Sequence, residues 1–175
     1  MTKAELARRI YEAAHLEGEF LLRSGQISNE YFDKYRFESD PELLAAIAEQ
    51  MEALLPEGTQ WLAGLELGGV PLATALSLRT GLPVLFVRKK AKPYGTQRLA
   101  EGGDFAGSRV AVIEDVITTG GQVIESTQAL ADLGAEIAGV LCVIDREAGG
   151  RENIAQAGWE LRSVFTKSEL EAHRS

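Results

Sequence analysis

Two adjacent carboxylates followed by a small-residue turn have the residue types and spacing expected of a sugar-phosphate site. Glu114 and Asp115 follow the apolar run 110–113 and precede the turn Thr118-Thr119-Gly120-Gly121. The free N–H groups of such a turn, and of a helix that begins in it, bind anions, and the helix dipole adds to that attraction. The carboxylates can accept hydrogen bonds from sugar hydroxyls. The alternative is an ordinary βα turn with solvated acids.

Two better-known phosphate loops do not fit this turn. No Gly-Lys-Ser/Thr follows its glycines, so it is not a P-loop, and its spacing is not that of the dinucleotide fingerprint G-x-G-x-x-G.

A second glycine turn and a basic segment predict a second anion site. Gly68-Gly69-Val70 follows an apolar stretch and leads into a helical pattern, as a phosphate-binding turn would. Arg88, Lys89 and Lys92 lie in a long segment, 88–107, that has no acid before Glu101. We expect this segment to be a lid that closes over a polyanion such as pyrophosphate; the alternative is a solvated basic loop. Two anion sites predict a ligand with two separate phosphate groups.

Three further candidates are ambiguous from their residue types alone. Arg146, at the end of an apolar run, could bind a carboxylate through two hydrogen bonds or form a surface salt bridge, and Arg23 is open to the same two interpretations. The aromatic pair Tyr31-Phe32 could stack on a base, although core packing is the commoner role of such residues.

The elements that must position these residues alternate between strand and helix from Trp61 onward. This alternation predicts an α/β fold with a doubly wound, mostly parallel sheet, whose ligands bind at the carboxyl ends of the strands. We expect a single domain, 1–175, in which residues 1–40 form mainly a hood and residues 41–165 the α/β core. Predicted strands are 19–25, 30–37, 61–66, 83–87, 110–115, 137–144 and 159–165; predicted helices are 3–15, 39–54, 72–80, 121–133 and 151–157.

Charge and cysteine content narrow the class of protein. The net charge of −8 and pI of about 4.9 argue against nucleic acid or an anionic membrane surface as a partner. No apolar run approaches the roughly 20 residues of a membrane span. The single cysteine, Cys142, excludes an intrachain disulfide and favours a buried apolar position and a cytoplasmic protein. Two histidines and one cysteine, dispersed in sequence, offer no zinc site.

Taken together, these motifs resemble the type I phosphoribosyltransferases. The stretch Val112-Ile-Glu-Asp-Val-Ile-Thr-Thr-Gly120 is similar to their signature for 5-phosphoribosyl 1-pyrophosphate (PRPP). More narrowly, the chain resembles the orotate branch of that family, through 20–25 with Tyr31-Phe32-Asp33, through 88–96 and through Asp145-Arg146. Two departures are arginine at position 23, where lysine is common in the family, and tyrosine at position 94, where histidine is familiar.

The resemblance implies transfer of phosphoribose from PRPP to orotate, in a homodimer with shared active sites and with Mg²⁺ as cofactor. Mg²⁺ would be held mainly by PRPP, near Glu114 and Asp115, without a certain protein ligand. The alternatives are a phosphoribosyltransferase for another base and a non-catalytic regulator that senses PRPP or a nucleotide.

The resemblance also assigns roles to residues. Those for PRPP are Glu114, Asp115, Val116, Ile117, Thr118, Thr119, Gly120, Gly121, Gly68, Gly69, Val70, Arg88, Lys89, Lys92 and Tyr94. Those for orotate are Arg23, Tyr31, Phe32, Thr118 and Arg146. Catalytic roles are expected for Lys92, Arg88 and Asp115, with Lys92 and Tyr94 reaching the neighbouring subunit's site.

Overall fold

The structure is a computed structural model that describes residues 1–22, 24–95 and 98–173, so that Arg23 lies outside the described residues. The helices are α1 (Lys3–Ala14), α2 (Tyr35–Glu38), α3 (Pro41–Glu52), α4 (Gly69–Thr80), α5 (Gly121–Asp132), α6 (Gly150–Gln156) and α7 (Lys167–Ala172). The strands are β1 (His15–Leu21), β2 (Ile27–Phe32), β3 (Trp61–Leu65), β4 (Val84–Val87), β5 (Ala100–Glu101), β6 (Arg109–Ile117), β7 (Glu136–Asp145) and β8 (Leu161–Thr166).

A six-stranded sheet of order β5-β4-β3-β6-β7-β8 forms the centre of the protein. All neighbouring strands are parallel except β5, which pairs antiparallel with β4 at the edge. This arrangement confirms the predicted mostly parallel α/β sheet. Because β6 is one of the two central strands of this sheet and pairs with β3 and β7, its carboxyl end, and the acidic pair on it, lie near the middle of the ligand edge.

Two hydrophobic layers cover the two faces of the sheet. Alternate residues of β6 point to opposite faces, so Ala111 and Ile113 join the layer of α1, α3, α4 and α7, whereas Val110 and Val112 join that of α5 and α6. Cys142 is fully buried in the second layer, as predicted, and burial raises the pKa of its thiol well above the usual value.

The N-terminal segment contributes both to this core and to a separate small sheet. Leu6 and Ile10 of α1 are buried in the first hydrophobic layer. Strands β1 and β2 form a two-stranded antiparallel sheet of their own, and the Asp33 N–H donates to the Ala14 carbonyl at its base (2.8 Å). The 15–32 hairpin is therefore attached to the core at both of its ends.

The structure corrects the predicted elements at three points. The expected strand 30–37 ends at Phe32, because the Asp33 carboxylate accepts the Tyr35 N–H (3.2 Å) at the start of α2 and Phe37 is fully buried in the core. The segment 88–107 contains the short strand β5, and helix α7 was not predicted. Within 1–22, 24–95 and 98–173, no helix has the length and apolar character needed to cross a membrane.

Candidate active site

The turn after β6 is exposed to solvent and is held in place by contacts with α6. Thr118 and Thr119 are exposed, and Gly120 adopts a left-handed conformation (φ 80°) immediately before α5. The Thr119 carbonyl accepts a hydrogen bond from the Asn153 side chain (2.9 Å), and the backbone of Gly150 packs directly against Thr118. Gly121 and Gln122, the first residues of α5, are exposed on a fixed backbone, which is the geometry of an anion site.

The two acids before this turn have different environments. Glu114 is half-buried and reaches a cavity, whereas Asp115 is completely buried. Asp115 Oδ1 accepts its neighbour Val116's N–H (2.5 Å), and Oδ2 lies 2.7 Å from Lys34 Nζ. In this structure a ligand therefore meets Glu114 directly, whereas contact with Asp115 would require Lys34 to move.

The second glycine turn packs against the same acid. A Cβ atom at Gly68 would overlap the Asp115 carboxylate, and one at Gly69 would overlap the Ile113 carbonyl oxygen. Glycine is required at both positions by this close approach of the β3–α4 turn to β6. The peptide bond just before the turn, Glu66–Leu67, is cis.

A cavity of about 140 Å³ joins these segments and contains part of the predicted second anion site. Its walls include Glu114, Gly68, Arg88, Lys89 and Lys34. The Lys89 N–H donates to the Glu66 carboxylate (2.5 Å), which fixes the start of the basic segment beside the glycine turn. Two cationic side chains of that segment therefore lie beside the acidic pair.

Burial affects the charge of the acidic cluster that Glu38, Glu114 and Asp115 form, of which Glu114 reaches this cavity. Desolvation, followed by the charge of Asp115, raises the pKa of Glu114 to about 8 and that of the buried Glu38 to about 9. Burial and the charge of Asp115 therefore favour the protonated form of both carboxyl groups. Protonation reduces the negative charge that an incoming phosphate would meet.

Lys92 and Tyr94 lie away from this cavity. Lys92 Nζ contacts Glu101 Oε1 (2.5 Å) on β5, and this pairing lowers the pKa of Glu101. Arg88 Nε is 3.9 Å from the same oxygen, and Tyr94 is 69% exposed. The structure therefore brings Arg88 and Lys89 to the acidic pair but does not bring Lys92 and Tyr94 there.

A second cavity, of about 330 Å³, contains the other group of predicted residues. Tyr31, Phe32 and Arg146 line it, together with Lys167 of α7. The Arg146 N–H donates to the Ile117 carbonyl (2.9 Å), which ties this residue to the end of β6.

The residue preceding Arg146 is fixed in turn. Asp145 is buried and accepts a hydrogen bond from Arg151 Nε (3.1 Å), while Arg151 also donates to the Leu161 carbonyl (2.6 Å). Arg146 is therefore held on a rigid backbone at the edge of the cavity.

Sequence reasoning missed Lys34, Glu38 and Glu66. The charged pair Asp33-Lys34 interrupts the aromatic run 30–37 and could have indicated that the strand ends there. Glu66 is the last residue of the predicted strand 61–66 and lies two residues before Gly68. Nothing in the sequence distinguishes Glu38 from an exposed helix residue.

A metal ion has no ready-made protein site in the part of the chain that the structure describes. No group of three or more His, Cys, Asp or Glu side chains in this part is arranged to hold one. Glu114 alone of the acidic pair reaches the cavity, so the donor set fits an ion carried mainly by a phosphorylated ligand.

Comparison with known proteins gives a consistent result. Residues 37–159 match the phosphoribosyl transferase domain family. An orotate phosphoribosyltransferase of a Nocardioides species is 57% identical over 171 residues, covering 98% of this chain and 96% of that protein. The orotate phosphoribosyltransferase of Pyrococcus abyssi is 43% identical, covering 96% of this chain and 94% of that protein.

Solved structures agree with these relatives. The Mycobacterium tuberculosis orotate phosphoribosyltransferase in complex with Fe(III) dicitrate superposes with a TM-score of 0.88 at 36% identity, covering 96% of this chain and 98% of that one. The same enzyme in complex with PRPP superposes with a TM-score of 0.83 at 32% identity, covering 97% and 98%. The chain belongs to the phosphoribosyltransferase family and, within it, to the orotate phosphoribosyltransferases.

Proposed function

We propose that this protein transfers phosphoribose from PRPP to orotate, giving orotidine 5-phosphate and pyrophosphate, as a step of pyrimidine biosynthesis. The observation that carries the proposal is the meeting of the 118–121 anion turn, Glu114 and the Arg88-Lys89 pair at one sheet edge. The relatives named above are orotate phosphoribosyltransferases, and one related structure contains PRPP.

The two phosphate-bearing ends of PRPP would bind to different segments. The 5-phosphate would accept hydrogen bonds from the backbone and hydroxyl groups of residues 116–121, where the helix dipole favours an anion. The pyrophosphate would lie in the smaller cavity against Gly68-Gly69-Val70 and next to Arg88 and Lys89. Glu114 would hydrogen-bond the ribose hydroxyls between them, with Asp115 fixed behind it.

The base would occupy the larger cavity. Arg146 would bind the carboxylate of orotate, because a guanidinium matches a carboxylate with two parallel hydrogen bonds. Tyr31 and Phe32, which line the same cavity, would orient the ring. Arg23 and Thr118 are proposed to complete the base site on the resemblance of the sequence alone.

The reaction then requires little covalent participation from the protein. The C1–O bond of PRPP would loosen first, giving an oxocarbenium-like centre that the base nitrogen attacks while pyrophosphate departs. Arg88 and Lys89 would stabilise the charge that develops on pyrophosphate, and the rest of the acceleration would come from holding the two substrates in line.

Mg²⁺ is the proposed cofactor, bound chiefly to pyrophosphate and ribose oxygens near Glu114. When bound, it would neutralise part of the pyrophosphate charge.

A homodimer is the proposed assembly. The position of Lys92 and Tyr94 outside the two cavities described above supports their contribution to a neighbouring subunit's site. The cytoplasm is the proposed compartment, in keeping with the single, buried cysteine.

A spectrophotometric assay with PRPP, Mg²⁺ and a panel of bases tests the proposal. We expect PRPP-dependent consumption of orotate, and loss of that activity when a chelator removes the metal ion. Turnover of a different base without orotate consumption would indicate another phosphoribosyltransferase. Tight PRPP binding without any turnover would indicate a regulator.

A further inference from the structure

Lys34 connects the N-terminal segment to the acidic pair. It lies between β2 and α2, and its ammonium nitrogen is 2.7 Å from Asp115 Oδ2 at the end of β6. Within the described residues, Lys34 is the only cationic side chain that pairs with this buried carboxylate. The contact therefore fixes the position of Lys34 relative to the ribose-binding end of the proposed site.

The charge balance of the cluster depends on this one lysine. Three carboxyl groups, from Glu38, Glu114 and Asp115, converge around it. Burial acts to lower the pKa of Lys34, but the hydrogen bond and charge of Asp115 outweigh burial and raise that pKa. Lys34 therefore stays charged and compensates Asp115, whereas burial favours the protonated form of the other two acids.

The ammonium group also reaches the smaller cavity. Lys34 lines it together with Arg88 and Lys89, and about a third of its side chain is exposed (35%). An ammonium group has three N–H donors, so the contact with Asp115 leaves two for another partner. Those donors are available to an anionic ligand in the cavity.

We propose that Lys34 is a further substrate-positioning residue, which fixes Asp115 and donates its remaining hydrogen bonds to the pyrophosphorylated end of the sugar. This inference rests on the proposed function, because it takes PRPP as the ligand of the cavity. Lys34 should therefore contribute more to the binding of PRPP than to the binding of orotidine 5-phosphate, which has no pyrophosphate group.

Binding measurements with three variants test this inference. Calorimetry would give the affinities for PRPP and for orotidine 5-phosphate of the wild type, Lys34→Met, Lys34→Gln and Lys34→Arg. Lys34→Gln keeps a donor toward Asp115, so it provides a folded uncharged variant if Lys34→Met does not fold. Lys3→Met is the matched control, because Lys3 is an exposed lysine of α1 that lines neither cavity.

We expect Lys34→Met and Lys34→Gln to weaken PRPP binding by about tenfold to a hundredfold, as for loss of one hydrogen bond to a charged group. Orotidine 5-phosphate binding should weaken less, and Lys34→Arg and Lys3→Met should retain most of the PRPP affinity. Unchanged PRPP affinity, or an equal loss for both ligands, would overturn the inference.

The same measurements separate this inference from the proposed function. If the wild type binds PRPP but does not consume orotate, the proposed orotate reaction is wrong, whereas the binding measurements still test whether Lys34 positions PRPP. A wild type that does not bind PRPP at all would overturn both.

Discussion

Replacing Glu38 by glutamine should change how the stability of the protein depends on pH. Glu38 is 6% exposed and faces the Asp115 carboxylate, with Glu114 and Lys34 also around it. Desolvation and the charge of Asp115 raise the pKa of Glu38 from 4.5 to about 9. Between these values the folded wild type holds a proton that the unfolded chain releases. Its free energy of unfolding therefore falls as pH rises through that window.

The expected size of the effect follows from this linkage. The glutamine side chain does not titrate, so the variant lacks the pH-dependent contribution of Glu38 to the free energy of unfolding. The other titrating groups are present in both proteins. One proton corresponds to about 1.4 kcal/mol per pH unit, so the difference in unfolding free energy should shift in favour of Glu38→Gln by about 2–3 kcal/mol between about pH 6 and pH 8.

Urea unfolding followed by circular dichroism at several pH values measures this difference directly. Glu49→Gln is the matched control, because Glu49 is an exposed residue of α3 and its replacement should give a difference that hardly changes with pH. A difference for Glu38→Gln that is equally flat, or that shifts in favour of the wild type, would refute the argument. It would mean that Glu38 is ionised in the folded protein.

Three further predictions concern the lid and the glycine turn. Lys92→Ala should lower turnover far more than it weakens binding of orotidine 5-phosphate; equal effects would contradict its assigned role. If Lys92 serves the neighbouring subunit, mixing equal amounts of inactive Lys92→Ala and Arg146→Ala chains should recover about a quarter of wild-type activity after subunit exchange, because about half of the dimers are mixed and each mixed dimer has one intact site of two. No recovery would place both residues in one subunit's site. Gly68→Ala should lower the free energy of unfolding by about 1–3 kcal/mol in thermal unfolding, because the new Cβ would displace the Asp115 carboxylate. Gly121→Ala is the control and should be tolerated, because its Cβ would meet no other atom. Similar losses for the two variants would argue against the close contact at Gly68.

Local sequence signals were sufficient to predict the sheet and the anion turn. The apolar run 110–113 and the glycines at 120 and 121 indicate a buried strand and the start of a helix by their composition alone. Because carboxyl ends of parallel strands meet at one edge, the alternation of elements also predicted that Gly68 and Arg88 approach Glu114. The smaller cavity confirms that approach.

The parts that could not be predicted depend on contacts between distant segments. The strand-like run ends at Asp33-Lys34, where the Asp33 carboxylate accepts the Tyr35 N–H and Phe37 is buried in the core. The ion pair of Lys34 with Asp115 joins residues 81 positions apart (115 minus 34), which no local pattern encodes. Likewise, no local pattern shows that Asp115 is buried while Glu114 is not: Asp115 is covered by the β3–α4 turn, which is distant in sequence.

The larger cavity shows the same limitation for the base site. From the sequence, Tyr31 could stack on a base or pack in the core, and Arg146 could bind a carboxylate or form a surface salt bridge. Only the cavity that both residues line favours a shared ligand. Lys167 joins them from α7, a helix that was not predicted.

A crystal structure of the protein with orotidine 5-phosphate would test the central claim most directly, because that ligand carries the phosphate, the ribose and the base together. We predict its phosphate at the 118–121 turn, its ribose hydroxyls within hydrogen-bonding distance of Glu114, and its base in the cavity lined by Tyr31, Phe32 and Arg146. A phosphate bound elsewhere, or a base outside that cavity, would contradict the account.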